Sequence, residues 1–173
     1  MDPMTDVLLR YFQDNLVGAV LVALALAVFV VVGAWLSVID LRSHLLPNRI
    51  IFPAYPVAAV LLGLGALLAG EGERILSMGG GAAVLWLAYF VLRVIYPAGM
   101  GFGDVKLAAL LGLYLGFAGW SHLLWGTFAA FALGSCWGLV LIVGRRGTLK
   151  SAIPFGPFMV AGAALVLALP SLG

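Results

Sequence analysis

The chain has 173 residues, 64% of them hydrophobic and only 9% charged. Soluble domains carry about 25% charged residues, so a soluble globular domain and a disordered chain are both excluded. Nine Lys/Arg against seven Asp/Glu leave a net charge of +2, too small for nucleic-acid binding by electrostatics. The one cysteine, Cys136, makes neither an intramolecular disulfide nor a cysteine zinc site. What remains is an all-α, polytopic membrane bundle, with the lipid bilayer as its solvent.

In chain order, the first 15 residues carry Asp2, Asp6 and Asp14 against Arg10. They lack the basic start of a signal peptide. Val7, Leu8, Tyr11 and Phe12 are expected to form one face of a short interfacial helix. A membrane helix needs about 20 apolar residues. Six spans are expected, at about 16–39, 50–70, 75–96, 105–119, 123–144 and 153–169. Pro53 and Pro56 would fall in the first turns of the second span, where proline costs least. Arg93 reads as a snorkelling anchor at the end of the third. Between Lys106 and Arg145 lie 38 uncharged residues, enough for two spans around a tight turn at 119–122. The fourth span is then short, which implies local thinning or burial among its neighbours. Gly63, Gly65 and Gly79–Gly81 would let helices approach closely.

Positive charge sets the orientation. Odd-numbered loops hold Arg42, Arg49, Arg93, Lys106, Arg145, Arg146 and Lys150, seven bases; the other side holds Arg10 and Arg74. The odd loops are expected to be cytoplasmic and both termini outside.

An ionisable group at membrane depth is costly and usually has a task. Asp2, Asp6, Asp14, Glu71 and Glu73 fall on the outer side, most simply solvated. Asp40 and Asp104 remain, 64 residues apart but separated by two spans, so both reach the cytoplasmic border. Asp40 opens the stretch to Pro47 and Asn48, the turn into the second span. Asp104 closes Gly99-Met100-Gly101-Phe102-Gly103-Asp104, whose glycines break the helix and allow close backbone approach. Two adjacent carboxyls share a proton, and such a pair can both activate water and protonate a leaving group, without a metal.

At these residues the sequence resembles the type IV prepilin peptidases, membrane aspartic proteases of the GxGD type. Three segments carry the resemblance: Asp40 with Pro47 in Leu46-Pro47-Asn48, Gly101-Phe102-Gly103-Asp104 with Lys106, and Ile153-Pro154-Phe155-Gly156-Pro157-Phe158. It implies a single membrane-embedded peptidase domain over residues 1–173, in the inner membrane of a prokaryote. It implies leader removal from prepilins or pilin-like proteins at the cytoplasmic face, with Asp40 and Asp104 catalytic. Gly101, Gly103, Lys106, Pro47, Pro154 and Gly156 would support the site or meet substrate. Many bacterial members also methylate the new N-terminus and carry CxxC pairs in an extra N-terminal region. This chain has no such pairs, so it resembles the short, peptidase-only form or a longer protein trimmed to it, and neither a cofactor nor zinc is expected.

Other readings start from the same acids. One is a GxGD protease acting on other substrates, such as archaeal preflagellins. Another is a proton-coupled transporter, which should show inverted repeats and acids near the midplane. A third is a structural membrane subunit. His44 reads as a solvated loop histidine, Cys136 as a small core residue, and His122 as an outer-side residue without a role. Arg145, Arg146 and Lys150 read as topology determinants. Oligomeric state is not legible.

Overall fold

The computed structural model describes residues 4–97, 99–144 and 154–169. Every regular element among them is a helix: α1 Met4–Asp14, α2 Leu16–Ser43, α3 Asn48–Leu68, α4 Glu73–Ile95, α5 Phe102–Ala118, α6 Trp120–Val143 and α7 Gly156–Ala168. α2, α3, α4 and α6 are long and apolar enough to cross a membrane. The chain is therefore a helical membrane bundle. Arg145, Arg146, Lys150 and Ile153 lie outside the described residues.

α5 is the axis of the bundle. It packs most extensively against α4 and also touches α3, α6 and α7. From Asp104 to Ala118 every residue but Lys106 is buried. This is the segment expected as a short fourth span, and it is buried among its neighbours.

Glycine makes that burial feasible. A Cβ built on Gly112 would lie 2.5 Å from the Gly81 carbonyl oxygen, and one on Gly116 2.4 Å from that of Ser77. α4 and α5 thus touch backbone to backbone, which only a side chain of one hydrogen permits. Of the glycines expected to mediate close approach, Gly81 does so here, and Gly65 does so against Gly18 and Val22 of α2. Gly80 meets the Trp120 ring, while Gly63 and Gly79 have nothing within 4 Å.

Several boundaries differ from the sequence expectation. α2 runs to Ser43, and the histidine that follows adopts the left-handed conformation (φ 52°). The His44 N–H then bonds the Asp40 carbonyl, adding a turn beyond the expected end at residue 39. α3 starts at Asn48, which places Pro53 and Pro56 inside the helix. Gly119 alone (φ 136°) makes the break between α5 and α6, so Trp120, Ser121 and His122 belong to α6 rather than to a turn. Cys136 is exposed on the bundle surface instead of in the core.

α1 also departs from expectation. Its apolar face is covered by protein: Met4, Val7 and Tyr11 are fully buried, and the helix packs on α2 and α7. Phe12 stays exposed. Tyr11 donates to Glu71 (2.8 Å), which also accepts from Arg74 and faces Arg10. Arg74 in turn donates to the Phe117 carbonyl at 2.9 Å. The α3–α4 connection is thus tied to α1 and to the end of α5, and Glu71 is paired rather than merely solvated. His122, at the same end, is buried, with its Nδ1 making no hydrogen bond.

Burial alone would raise the Glu71 carboxyl. The hydrogen bonds from Arg74 and Tyr11, with the charges of Arg74 and Arg10, outweigh it and hold Glu71 below its ordinary 4.5. Burial and the bond to Glu71 push the Tyr11 phenol up to about 12. A carboxyl with a depressed folded pKa stabilises above its unfolded pKa, and that contribution vanishes as pH falls through the folded value. Glu71→Gln is therefore expected to melt lower than the native chain at neutral pH. The gap should close in acid below the ordinary carboxylate pKa. Melting curves in detergent at both pH values check this; a gap that persists in acid contradicts it.

Candidate active site

Asp40 is placed by the buried seam of α2. That seam runs Val22, Ala25, Phe29, Gly33, Leu36 and Asp40, in steps of three and four residues. The helical repeat that turns the leucine and phenylalanine inward turns the carboxylate inward as well. Asp40 is 4% exposed. Its Oδ2 accepts the backbone N–H of Gly156 at 3.0 Å. Gly156 is the first residue of α7, so the carboxylate sits at the positive end of that helix.

Glycine at 156 leaves the room for this contact. A Cβ there would stand 2.8 Å from the same Asp40 oxygen. The preceding Phe155 ring is held by Phe131 (centroids 5.0 Å) and by buried Tyr89 (6.3 Å). Gly134 leaves the slot for that ring, since a Cβ on it would lie 2.9 Å from the Phe155 edge. Aromatic packing from α4 and α6 therefore fixes where α7 begins. Pro154 lies just before, half-buried.

Asp104 is placed by the start of α5. It is the third residue of the helix, and its Oδ2 accepts the N–H of Gly101 at 2.9 Å. The Asp104 N–H donates back to the Gly101 carbonyl at 3.2 Å. This reciprocal pair satisfies backbone groups that a helix start otherwise leaves open. Asp104 is 8% exposed. Gly103 lies inside α5, where its role is steric: a Cβ would stand 2.8 Å from that of Leu46. The α5 start is thus pressed against the α2–α3 connection.

Pro47 caps α3 with its carbonyl, which accepts from Ile50 and Ile51. Lys106 reaches from α5 to donate to Asn48 Oδ1 at 2.8 Å, and its ammonium lies over the rings of Phe102 (4.9 Å) and Phe52 (5.5 Å). Tyr55 donates to the Lys106 carbonyl at 2.6 Å. The side chain is spent on protein contacts rather than reaching for headgroups. His44 is exposed but lies close enough to interact electrostatically with Asp40.

All eight residues singled out by sequence therefore gather at one end of the bundle, where α3, α5 and α7 begin. Three neighbours were not singled out as parts of a site: Tyr89, Phe155 and Arg93. Tyr89 carries no signal of its own in the sequence, and Phe155 enters only as part of the segment 153–158, without a role. A base one turn before a glycine-rich connection was the available signal for Arg93, because such a segment leaves carbonyls open.

Two inward acids thus stand at one end of a helical membrane bundle, each held by a backbone amide at a helix start, and comparison with known proteins gives the chain a family. The chain belongs to the type IV leader peptidase family, whose profile matches residues 26–143 and so includes both aspartates. It is 30% identical to the prepilin leader peptidase/N-methyltransferase of Burkholderia pseudomallei (strain 1026b) over 171 residues, covering 91% of this chain and 54% of that protein. The protein of the same name from Aeromonas hydrophila is 33% identical over 129 residues, 73% of this chain and 43% of its own length. That from Pseudomonas putida is 31% identical over 134 residues, 76% and 45%. The chain thus spans about half the length of the relatives it matches. No solved structure matches it.

Proposed function

We propose that the chain is an intramembrane aspartic endopeptidase that removes the leader from type IV prepilins or pilin-like proteins. Asp40 and Asp104 are the catalytic pair, in a single peptidase domain over residues 1–173. The observation that carries this reading is the buried carboxylate pair at one end of the bundle. An acid buried in a membrane protein is costly to keep unless it is used. Family membership supplies the substrate class.

The chemistry follows from one proton shared between two carboxyls. The ionised partner takes a proton from water as the water oxygen attacks the scissile carbonyl carbon. The protonated partner hydrogen-bonds the carbonyl oxygen and donates its proton there. As the C–N bond of the tetrahedral adduct breaks, the carboxyl that took the water proton gives it to the departing amine, and the other carboxylate takes back a hydroxyl proton of the adduct, so the pair ends as it began. Pro154 and Gly156 shape the rim beside Asp40. Pro47, Gly101, Gly103 and Lys106 hold the α5 start against the α2–α3 turn. The excess of bases in the odd loops supports a cytoplasmic position for this end, at the cell membrane, with both termini outside. A substrate whose own helix lies in the bilayer is presented at that depth.

The test is co-expression with a prepilin-like substrate, comparing the native chain with Asp40→Asn and Asp104→Asn at equal membrane levels. Leader removal by the native chain, lost in both variants, is the expected result. Cleavage that survives either substitution, or is absent with every prepilin and preflagellin tried, overturns the proposal.

A further inference from the structure

We propose that Arg93 is a positioning residue for the second aspartate, acting through the connection between α4 and α5; this rests on the aspartate-pair reading above. Arg93 lies in the last turn of α4. A snorkelling anchor would extend toward headgroups. Instead the half-buried guanidinium turns back over the connection that follows it. Its Nη1 donates to the Met100 carbonyl at 2.7 Å, and its Cζ lies 5.6 Å from the centre of the Phe102 ring. It is also within electrostatic reach of Asp104.

These contacts bracket Gly101. Met100 precedes it and Phe102 follows it, and the Gly101 N–H is the group that holds the Asp104 carboxylate. Gly99 and Gly101 give this connection wide backbone freedom. A charge-assisted bond to the carbonyl on one side and a cation–ring contact on the other remove that freedom where it matters. Phe102 takes part twice, since the Lys106 ammonium also faces its ring at 4.9 Å. Lys106 is anchored to Asn48 on α3. A continuous path, Arg93 to Phe102 to Lys106 to Asn48, thus fastens the α5 start between α4 and α3. Arg93 touches no reacting atom in this scheme. It sets where the Asp104 oxygens stand relative to Asp40, and its charge favours a carboxylate there.

The experiment measures kcat and KM for leader cleavage by the purified full chain and by Arg93→Gln, Arg93→Lys and Asp104→Asn, with folded protein quantified in each. Arg93→Gln is expected to lower kcat on the order of 10- to 100-fold while KM stays within about threefold, because misplacing a catalytic group weakens turnover rather than binding. Arg93→Lys keeps the charge and a donor and should recover part of that loss. In melting curves, Arg93→Gln should cost less when Asp104 is already asparagine, since the charge it serves is gone. An unchanged kcat, a loss confined to KM, or no recovery in Arg93→Lys overturns the inference. Asp104→Asn separates the two readings. If it is active, the aspartate pair itself fails; if it is inactive while Arg93→Gln is unimpaired, only the role of Arg93 fails.

Discussion

Asparagine at Asp40 or at Asp104 leaves a folded protein whose kcat is reduced on the order of 10³-fold, because neither proton step can then be completed. The fold survives because an asparagine carbonyl oxygen still accepts a hydrogen bond. At position 40 it can take the Gly156 N–H, and at position 104 the Gly101 N–H, the two bonds that the carboxylates make now. Alanine is the poorer probe, since Asp104→Ala removes a helix-start acceptor and costs about 1 kcal/mol besides. The two asparagine variants are also expected to be non-additive. Groups that act as one unit are lost once, so the double variant should be scarcely slower than either single one. Single-turnover cleavage with melting temperatures of all three variants checks this. Additive losses would mean two independent sites.

The second large effect is structural. Gly112→Ala is expected to destabilise the bundle severely, although alanine favours a helix interior over glycine by about 1 kcal/mol. The added carbon would sit 2.5 Å from the Gly81 oxygen and 2.7 Å from the Ala82 Cα. Those atoms are backbone and cannot swing aside, so α4 and α5 must separate. Overpacking against side chains costs roughly 1–3 kcal/mol, and against backbone the cost lies at or beyond that upper end. Gly79→Ala is the matched control, since its new carbon meets nothing within 4 Å. It should be neutral or mildly stabilising. Thermal unfolding in detergent distinguishes the two; equal behaviour would remove the backbone contact as the reason for Gly112.

How much could be read in advance differs by residue type. Asp40 and Asp104 were legible because a charge in an apolar run stands out, and because two spans between them force a common end. The shortness of α5 pointed to local thinning or to burial, and the packing decides for burial. Gly112 and Gly116 were not legible, since 23 glycines are scattered through the chain and pairing is a property of two helices at once. The face of α1 was misread for a similar reason: Val7 and Tyr11 suit a lipid interface as well as a protein one, and partners distant in sequence, α7 and Glu71 among them, decide for protein. Arg93 was misread because position alone suggests an anchor, whereas the Met100 carbonyl that captures it exists only once the connection is folded.

The enclosure of α5 has a consequence for how the protein meets different membranes. At 17 residues the helix is about 26 Å long, shorter than the roughly 30 Å of hydrocarbon around the bundle. A lipid-facing helix of that length would pull the surface inward or tilt when acyl chains lengthen. α5 has almost no lipid-facing surface through which to feel the change, because the outer helices carry the mismatch and surround it. The carboxylate it bears is therefore held at a depth set by protein packing, and bilayer thickness acts on the shell rather than on the chemistry.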